Sequence, residues 1–136
     1  MDNDNASNNT TVGYSEASSA WATTSTTAGY YGTSYRYAAT QPIADAATFW
    51  FYLPAPATRT VYAWWTAGSN RSDRAPFVVF NAAGTRLATV YANQRTSGGA
   101  WNTLGTYSFT AGWNKVQLSR WTTEGSVVVA DAIRVR

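Results

Sequence analysis

Thr48-Phe49-Trp50-Phe51-Tyr52-Leu53 stops at Pro54 and Pro56. Arg59-Thr60-Val61-Tyr62-Ala63-Trp64-Trp65-Thr66 follows and stops at Ala67-Gly68-Ser69-Asn70. Both runs read as strands, because aromatic and β-branched side chains fit a pleated, half-buried surface and proline cannot donate to an interior ladder. Further along, Phe77-Val78-Val79-Phe80 and residues 85–91 flank Asn81-Ala82-Ala83-Gly84, which is a hairpin signature. Residues 105–109, 114–119 and 126–130, the last running into 132–136, continue the series. Upstream, the first forty residues are rich in Ser, Thr, Asn, Gly and Ala and have no helical period. Val12, Tyr14 and Trp21 are their only large apolar anchors before Tyr30. This segment reads as loop with one or two short strands, ending in a glycine-bracketed aromatic cluster from Ala28 to Tyr37. Short strands at regular spacing, with turn residues between them, predict an all-β, antiparallel β-sandwich that occupies residues 1–136 as a single domain. No stretch has the pattern of a long amphipathic helix.

Composition sharpens the class. The chain has 136 residues, enough to bury a core without disulfides or metals. Charged residues make up 12%, against about 25% in a typical domain. The 7 Trp and 9 Tyr exceed what a core of this size needs, and the surplus is expected at the surface, where rings stack. The net charge of +3 is scattered, with no basic run of the nucleic-acid or membrane type. No apolar stretch approaches the roughly 20 residues that span a bilayer. Residues 1–5 are polar and have no signal-peptide core, so Met1 reads as the start of a domain taken from a longer secreted protein.

The chemistry of most enzymes is missing. With 0 His and 0 Cys there is no histidine base, thiolate nucleophile or zinc site. The 7 acids do not cluster as a glycosidase pair would. The expectation is a binding domain, not an enzyme.

Several stretches occur in a familiar order: Asp2-Asn3, Trp21 with Ser25, Gly29-Tyr30-Tyr31-Gly32 with Tyr35, Leu53-Pro54, Val61-Tyr62 with Trp65, Asn70-Arg71, and Ala75-Pro76. Asn93-Gln94, Gly98-Gly99 with Trp101, Leu104-Gly105-Thr106-Tyr107 with Phe109, and Val128-Val129-Ala130-Asp131-Ala132 follow. In this order the chain resembles the golvesin C-terminal-like domain, which is also attached to xanthan lyases and other secreted bacterial hydrolases. The chain departs from that pattern at residues 5–12 and at Trp121-Thr122-Thr123-Glu124. The resemblance implies a jelly-roll sandwich of carbohydrate-binding type, an accessory role, and secretion.

Candidate contacts follow from side-chain chemistry. Tyr30, Tyr31 and Tyr35 read either as an aromatic platform for sugar faces or as a plug at one end of the core. Asn70, Arg71 and Arg74 lie in a loop between strands. Arginine suits bidentate contact with an acidic sugar, and equally suits fixing a loop through nearby carbonyls. Gln94 and Arg95 lie in a second polar loop that ends at Trp101; amides suit hydroxyl recognition, and equally suit satisfying buried backbone at a strand bend, with Trp101 read first as core and otherwise as a ligand contact. Trp64 and Trp65 are adjacent on a strand and so face opposite sides, one of them core. Trp65 is the one that matches the family position. On the last strand Asp131 shares parity with Ile133 and Val135, so it points inward and must be hydrogen-bonded or metal-bound. Asp2, Asp4 and Asp131 are the candidate ligands of a structural calcium tying the chain ends together.

The leading expectation is therefore a non-catalytic, secreted module that binds a polysaccharide, with an acidic one favoured by the arginines, and so holds a parent catalytic domain in cis to its substrate. The alternative is a structural or adhesive module that self-associates and buries Trp121, Trp113 or Tyr30.

Overall fold

A computed structural model describes all 136 residues. Its strands are β1 (Gly13–Glu16), β2 (Ala22–Thr24), β3 (Tyr35–Ala39), β4 (Ala47–Leu53), β5 (Ala57–Trp64), β6 (Ala75–Phe80), β7 (Arg86–Ala92), β8 (Asn102–Phe109), β9 (Gly112–Leu118), β10 (Val127–Ala130) and β11 (Ala132–Val135). A single 3-10 turn, Asn5–Ser7, precedes them. Five strands form one sheet in the order β1-β4-β9-β6-β7. The others form two three-stranded sheets, β10-β3-β2 and β11-β5-β8. Every strand-to-strand pairing is antiparallel.

The pleat explains the layers. In β4, Phe49 and Phe51 are buried while Trp50 and Tyr52 point out. In β5, Val61 and Ala63 are buried while Tyr62 and Trp64 point out. The inward sets meet between the layers: Phe51 meets Phe109 edge-on at 5.0 Å, and Trp65 lies 6.3 Å from Phe77. One buried apolar cluster joins residues of all three sheets. Each such side chain contributes about 1.5–3 kcal/mol when fully removed from water. The result is the expected jelly-roll β-sandwich.

The hairpin forms where the turn chemistry put it. Asn81 Oδ1 accepts from the backbone N–H of Ala83 and Thr85, and Gly84 takes a positive φ of 83°. The N-terminal third differs from its expectation. It holds three strands, and Tyr35-Arg36-Tyr37 belongs to β3, the middle strand of its sheet. Serine- and threonine-rich segments give weak strand signals, and tertiary pairing overrides them.

The last strand breaks at Asp131. β10 pairs with β3 and β11 pairs with β5, so this one residue passes the chain from one small sheet to the other. The N-terminus docks there: Asn3 N–H donates to Asp131 O at 2.7 Å, and Ile133 N–H donates to Met1 O at 2.9 Å.

Candidate functional site

An aromatic cluster built on the outward side of β5 and β11 borders a cleft. Trp64 faces out, and its Nε1 donates to Gly29 O at 2.8 Å, pinning the loop that carries Tyr31. Tyr31 lies 5.5 Å from Trp64 and 5.2 Å from Trp101, and the two indoles are 5.4 Å apart. Tyr31 is 42% exposed, so this trio reaches solvent.

Arg134 stands opposite Tyr62 in the β11–β5 register. Its guanidinium lies 4.5 Å from the Tyr62 ring centre and 4.7 Å from that of Trp101. A cation held between two rings gains about 0.5–2 kcal/mol. Its Nε is buried and has no hydrogen-bond partner. The only ion pair in the chain is Arg120–Asp45, so no carboxylate neutralises Arg134. A cleft of about 330 Å³ opens beside it. Tyr31, Trp101, Tyr52 and Leu53 line this cleft together with Arg59 and Arg134, and no acidic residue does. Rings can take the apolar face of a sugar, and the two guanidinium groups can take a carboxylate.

The residues singled out from sequence divide. Tyr31 and Trp101 come together in this cleft. Tyr30 does not: it is half-buried against the core, 6.4 Å from Tyr35. Tyr35, Trp65, Arg71 and Gln94 correct the expectation of ligand contact, because all four are buried and bonded internally. Trp65 Nε1 donates to Thr96 O at 2.9 Å. Gln94 clamps β10, with Nε2 donating to Val129 O at 2.9 Å and Oε1 accepting from Val129 N–H at 2.8 Å. Arg71 reaches Thr66 O, Thr66 Oγ1, Asn70 Oδ1 and Thr27 Oγ1. Asn70, Arg74 and Arg95 are exposed but lie outside the cleft. Asn70 bonds Arg71, Arg74 lies 4.0 Å over the Tyr91 ring, and Arg95 Nε donates to Arg71 O at 2.8 Å.

Sequence reasoning missed Arg59 and Arg134 as contacts, missed Tyr62 as the ring under Arg134, and left Trp64 unassigned. Strand parity separates the outward set, 60, 62 and 64, from the core set. The cross-strand register that lays Arg134 on Tyr62 joins residues 72 positions apart, and no local signal carries it.

Of the three aspartates, Asp2 and Asp131 each keep a buried oxygen without a donor, whereas Asp4 uses its carboxylate as a cap. Asp4 Oδ1 accepts from Ala6 N–H at 3.0 Å, capping the 3-10 turn. Asp131 Oδ2 accepts from Tyr31 N–H at 2.9 Å, while Oδ1 is buried and receives no donor. Asp2 Oδ2 is in the same condition. It sits under Gly32, whose φ is +68° and where a β-carbon would collide with it. Burial pushes the Asp131 carboxyl up to about 8, and the neighbouring Asp2 charge adds to the rise. Asp2 is also raised, chiefly by burial.

This architecture is that of the jelly-roll carbohydrate-binding modules. The family 35 module from Clostridium thermocellum superposes with a TM-score of 0.63 at 13% identity, covering 90% of each chain. The family 35 module of Abf62 from Cellvibrio japonicus gives 0.61 at 15%, covering 91% of this chain and 96% of that one. At that identity the likeness is one of fold.

The chain belongs to the Golvesin C-terminal domain family, whose model matches residues 5–136. Among its relatives is xanthan lyase of Bacillus sp. (strain GL1), 36% identical over 118 residues. That match covers 84% of this chain and 12% of the lyase. The structure of a Paenibacillus xanthan lyase superposes on 99% of this chain with a TM-score of 0.76 and 32% identity, again over 12% of the larger protein. The chain thus corresponds to about an eighth of those relatives.

Proposed function

We propose that this is a single, non-catalytic polysaccharide-binding module, secreted as part of a longer bacterial protein, that holds a parent enzyme against an acidic polymer. The cleft of Tyr31, Trp101 and Arg134, with Trp64 packed behind the two rings, is its site. The observation that carries the reading is Arg134: a guanidinium braced between two rings on the wall of the cleft, with no carboxylate beside it. The sugar ring would stack on Trp101 and Tyr31, and its carboxylate would face Arg134 and Arg59. The kinship with xanthan lyases makes xanthan, an acidic polymer, the first ligand to try. Absence of acid from the cleft agrees with binding without hydrolysis.

The test is retention of the purified chain on xanthan, an uncharged glucan and an unrelated polyuronate at two salt concentrations. Retention on xanthan that falls with salt, and fails for Arg134→Ala, supports the reading. A folded chain that holds none of the three polymers would sink it.

Calcium belongs to the same proposal. Asp2 and Asp131 would hold it through the two oxygens that receive no donor, and Asp4 would not take part. When bound, the ion would neutralise two buried carboxylates and tie the N-terminal segment to β11. Thermal unfolding in calcium should then exceed that in a chelator by several degrees, and Asp131→Asn should abolish the difference. Equal melting curves in the wild-type chain would remove calcium from the account.

A further inference from the structure

The outward face of the five-stranded sheet carries a second aromatic surface, separate from the cleft. Tyr14 stacks on Trp50 at 6.2 Å and 22° and meets Trp113 edge-on at 5.3 Å. Trp113 lies 5.5 Å from Tyr52. Register produces this: Tyr14 pairs with Trp50, Tyr52 with Trp113, and Trp50 and Phe80 both with Lys115. The lone lysine therefore sits in mid-face, its Nζ 5.1 Å from the Trp50 ring centre and 4.8 Å from that of Phe80. None of the three sheets packs over this face, since the core lies on the other side.

Two observations decide what would cover it. The first is charge. The strands of this sheet contain Lys115 and Arg86 against a single acid, Glu16, and that carboxylate accepts from Trp50 Nε1 at 2.9 Å. Lys115 has no ion-pair partner, so the centre of the face is cationic. The second is continuity. Tyr52 is 42% exposed, lines the cleft, and also packs on Trp113. Tyr52 therefore belongs both to the lining of the cleft and to the ring cluster of the face.

We infer that this face is a second binding surface for the same acidic polysaccharide: one polymer strand, seated in the cleft, continues over Tyr52 onto Trp113 and Tyr14 with its carboxylates toward Lys115. The inference rests on the cleft binding an acidic glycan. Once the strand is held in the cleft, contact with the face is intramolecular, so weak stacking there raises the affinity for polymer but not for a short fragment.

The experiment compares xanthan with its single-repeat oligosaccharide as probes of the full chain. Trp113→Thr and Lys115→Gln should each weaken polymer binding about tenfold, the scale of one lost stacking or charge contact. Neither should change oligosaccharide binding, whereas Trp101→Ala should lose both. Lys115→Gln removes only an ammonium group, which guards against a folding defect in the tryptophan variant. Polymer binding unchanged in both face variants overturns the inference. So does a dimer, seen by sedimentation, that Trp113→Thr converts to monomer, because the face would then belong to a second copy. If Trp101→Ala has no effect while the face variants still weaken polymer binding, the cleft reading fails and the face stands alone.

Discussion

Arg71 and Arg134 both lie against aromatic rings, and they differ in what is left over. Arg71 sits 5.7 Å from the Tyr35 ring centre, buried, with its donors directed to Thr66, Asn70 and Thr27. Arg134 lies between Tyr62 and Trp101 with Nε unmatched. A guanidinium whose bonds close on its own chain fixes the fold. One braced by rings, with donors free, is poised for a ligand. The distinction lies in neighbours and not in residue type.

The largest effect belongs to Arg71. Arg71→Ala strands buried acceptors at Thr66, and each unsatisfied buried group costs about 1–3 kcal/mol. A loss of about 4 kcal/mol is expected, read by denaturant unfolding, with polysaccharide affinity of the remaining folded protein unchanged. Reduced affinity at unchanged stability would move Arg71 to the ligand side. Gln94→Ala should come next, at about 3 kcal/mol, since it leaves both the N–H and the C=O of Val129 unpartnered in the core. Its melting curve should shift down, again with no separate effect on binding.

Arg134 should behave in the opposite way. Arg134→Ala removes no hydrogen bond within the chain and loses only the two ring contacts, so stability should fall by at most about 2 kcal/mol, less than for Arg71→Ala or Gln94→Ala. Acidic-polymer affinity should fall by about 2 kcal/mol, the value of one charge-assisted contact. Arg134→Lys should recover only part of this, because an ammonium lacks the planar fork that stacks and binds a carboxylate in two places. Full recovery by lysine would mean that charge alone suffices and that the ring sandwich is incidental.

The same contrast shows what the sequence could reveal. Strand runs, the hairpin at residues 81–84 and the sandwich were legible because pleat and turn chemistry are local. So was the inward direction of Asp131. The role of Arg71 was readable as two alternatives, since guanidinium chemistry serves a loop or a ligand equally well. The cleft was not legible. Tyr31, Trp64, Trp101 and Arg134 come from a loop, β5, the segment before β8, and β11. Their meeting depends on register between strands far apart in the chain. Tyr35 was misplaced for a related reason: its glycine-bracketed stretch suggested turns, while pairing with β2 and β10 made it the middle of a sheet.

The smallest expected effect tests how the cleft is held. Trp64→Phe keeps a ring beside Tyr31 and Trp101 but loses the Nε1 bond to Gly29 O. That bond ties the loop carrying Tyr31 to β5, while the Asp131 carboxylate, accepting from Tyr31 N–H, ties the same loop to the β10–β11 junction. Its loss should cost about 1 kcal/mol of binding, roughly a fivefold change, through a looser Tyr31 and not through a lost sugar contact. Titration calorimetry with the single-repeat oligosaccharide reads the affinity. Adding Tyr31→Ala separates the two routes. If Trp64 acts by positioning Tyr31, the double variant is no weaker than Tyr31→Ala alone. If the losses add, Trp64 touches the sugar itself, and the cleft has three stacking rings where the bonding pattern assigns it two rings and a brace.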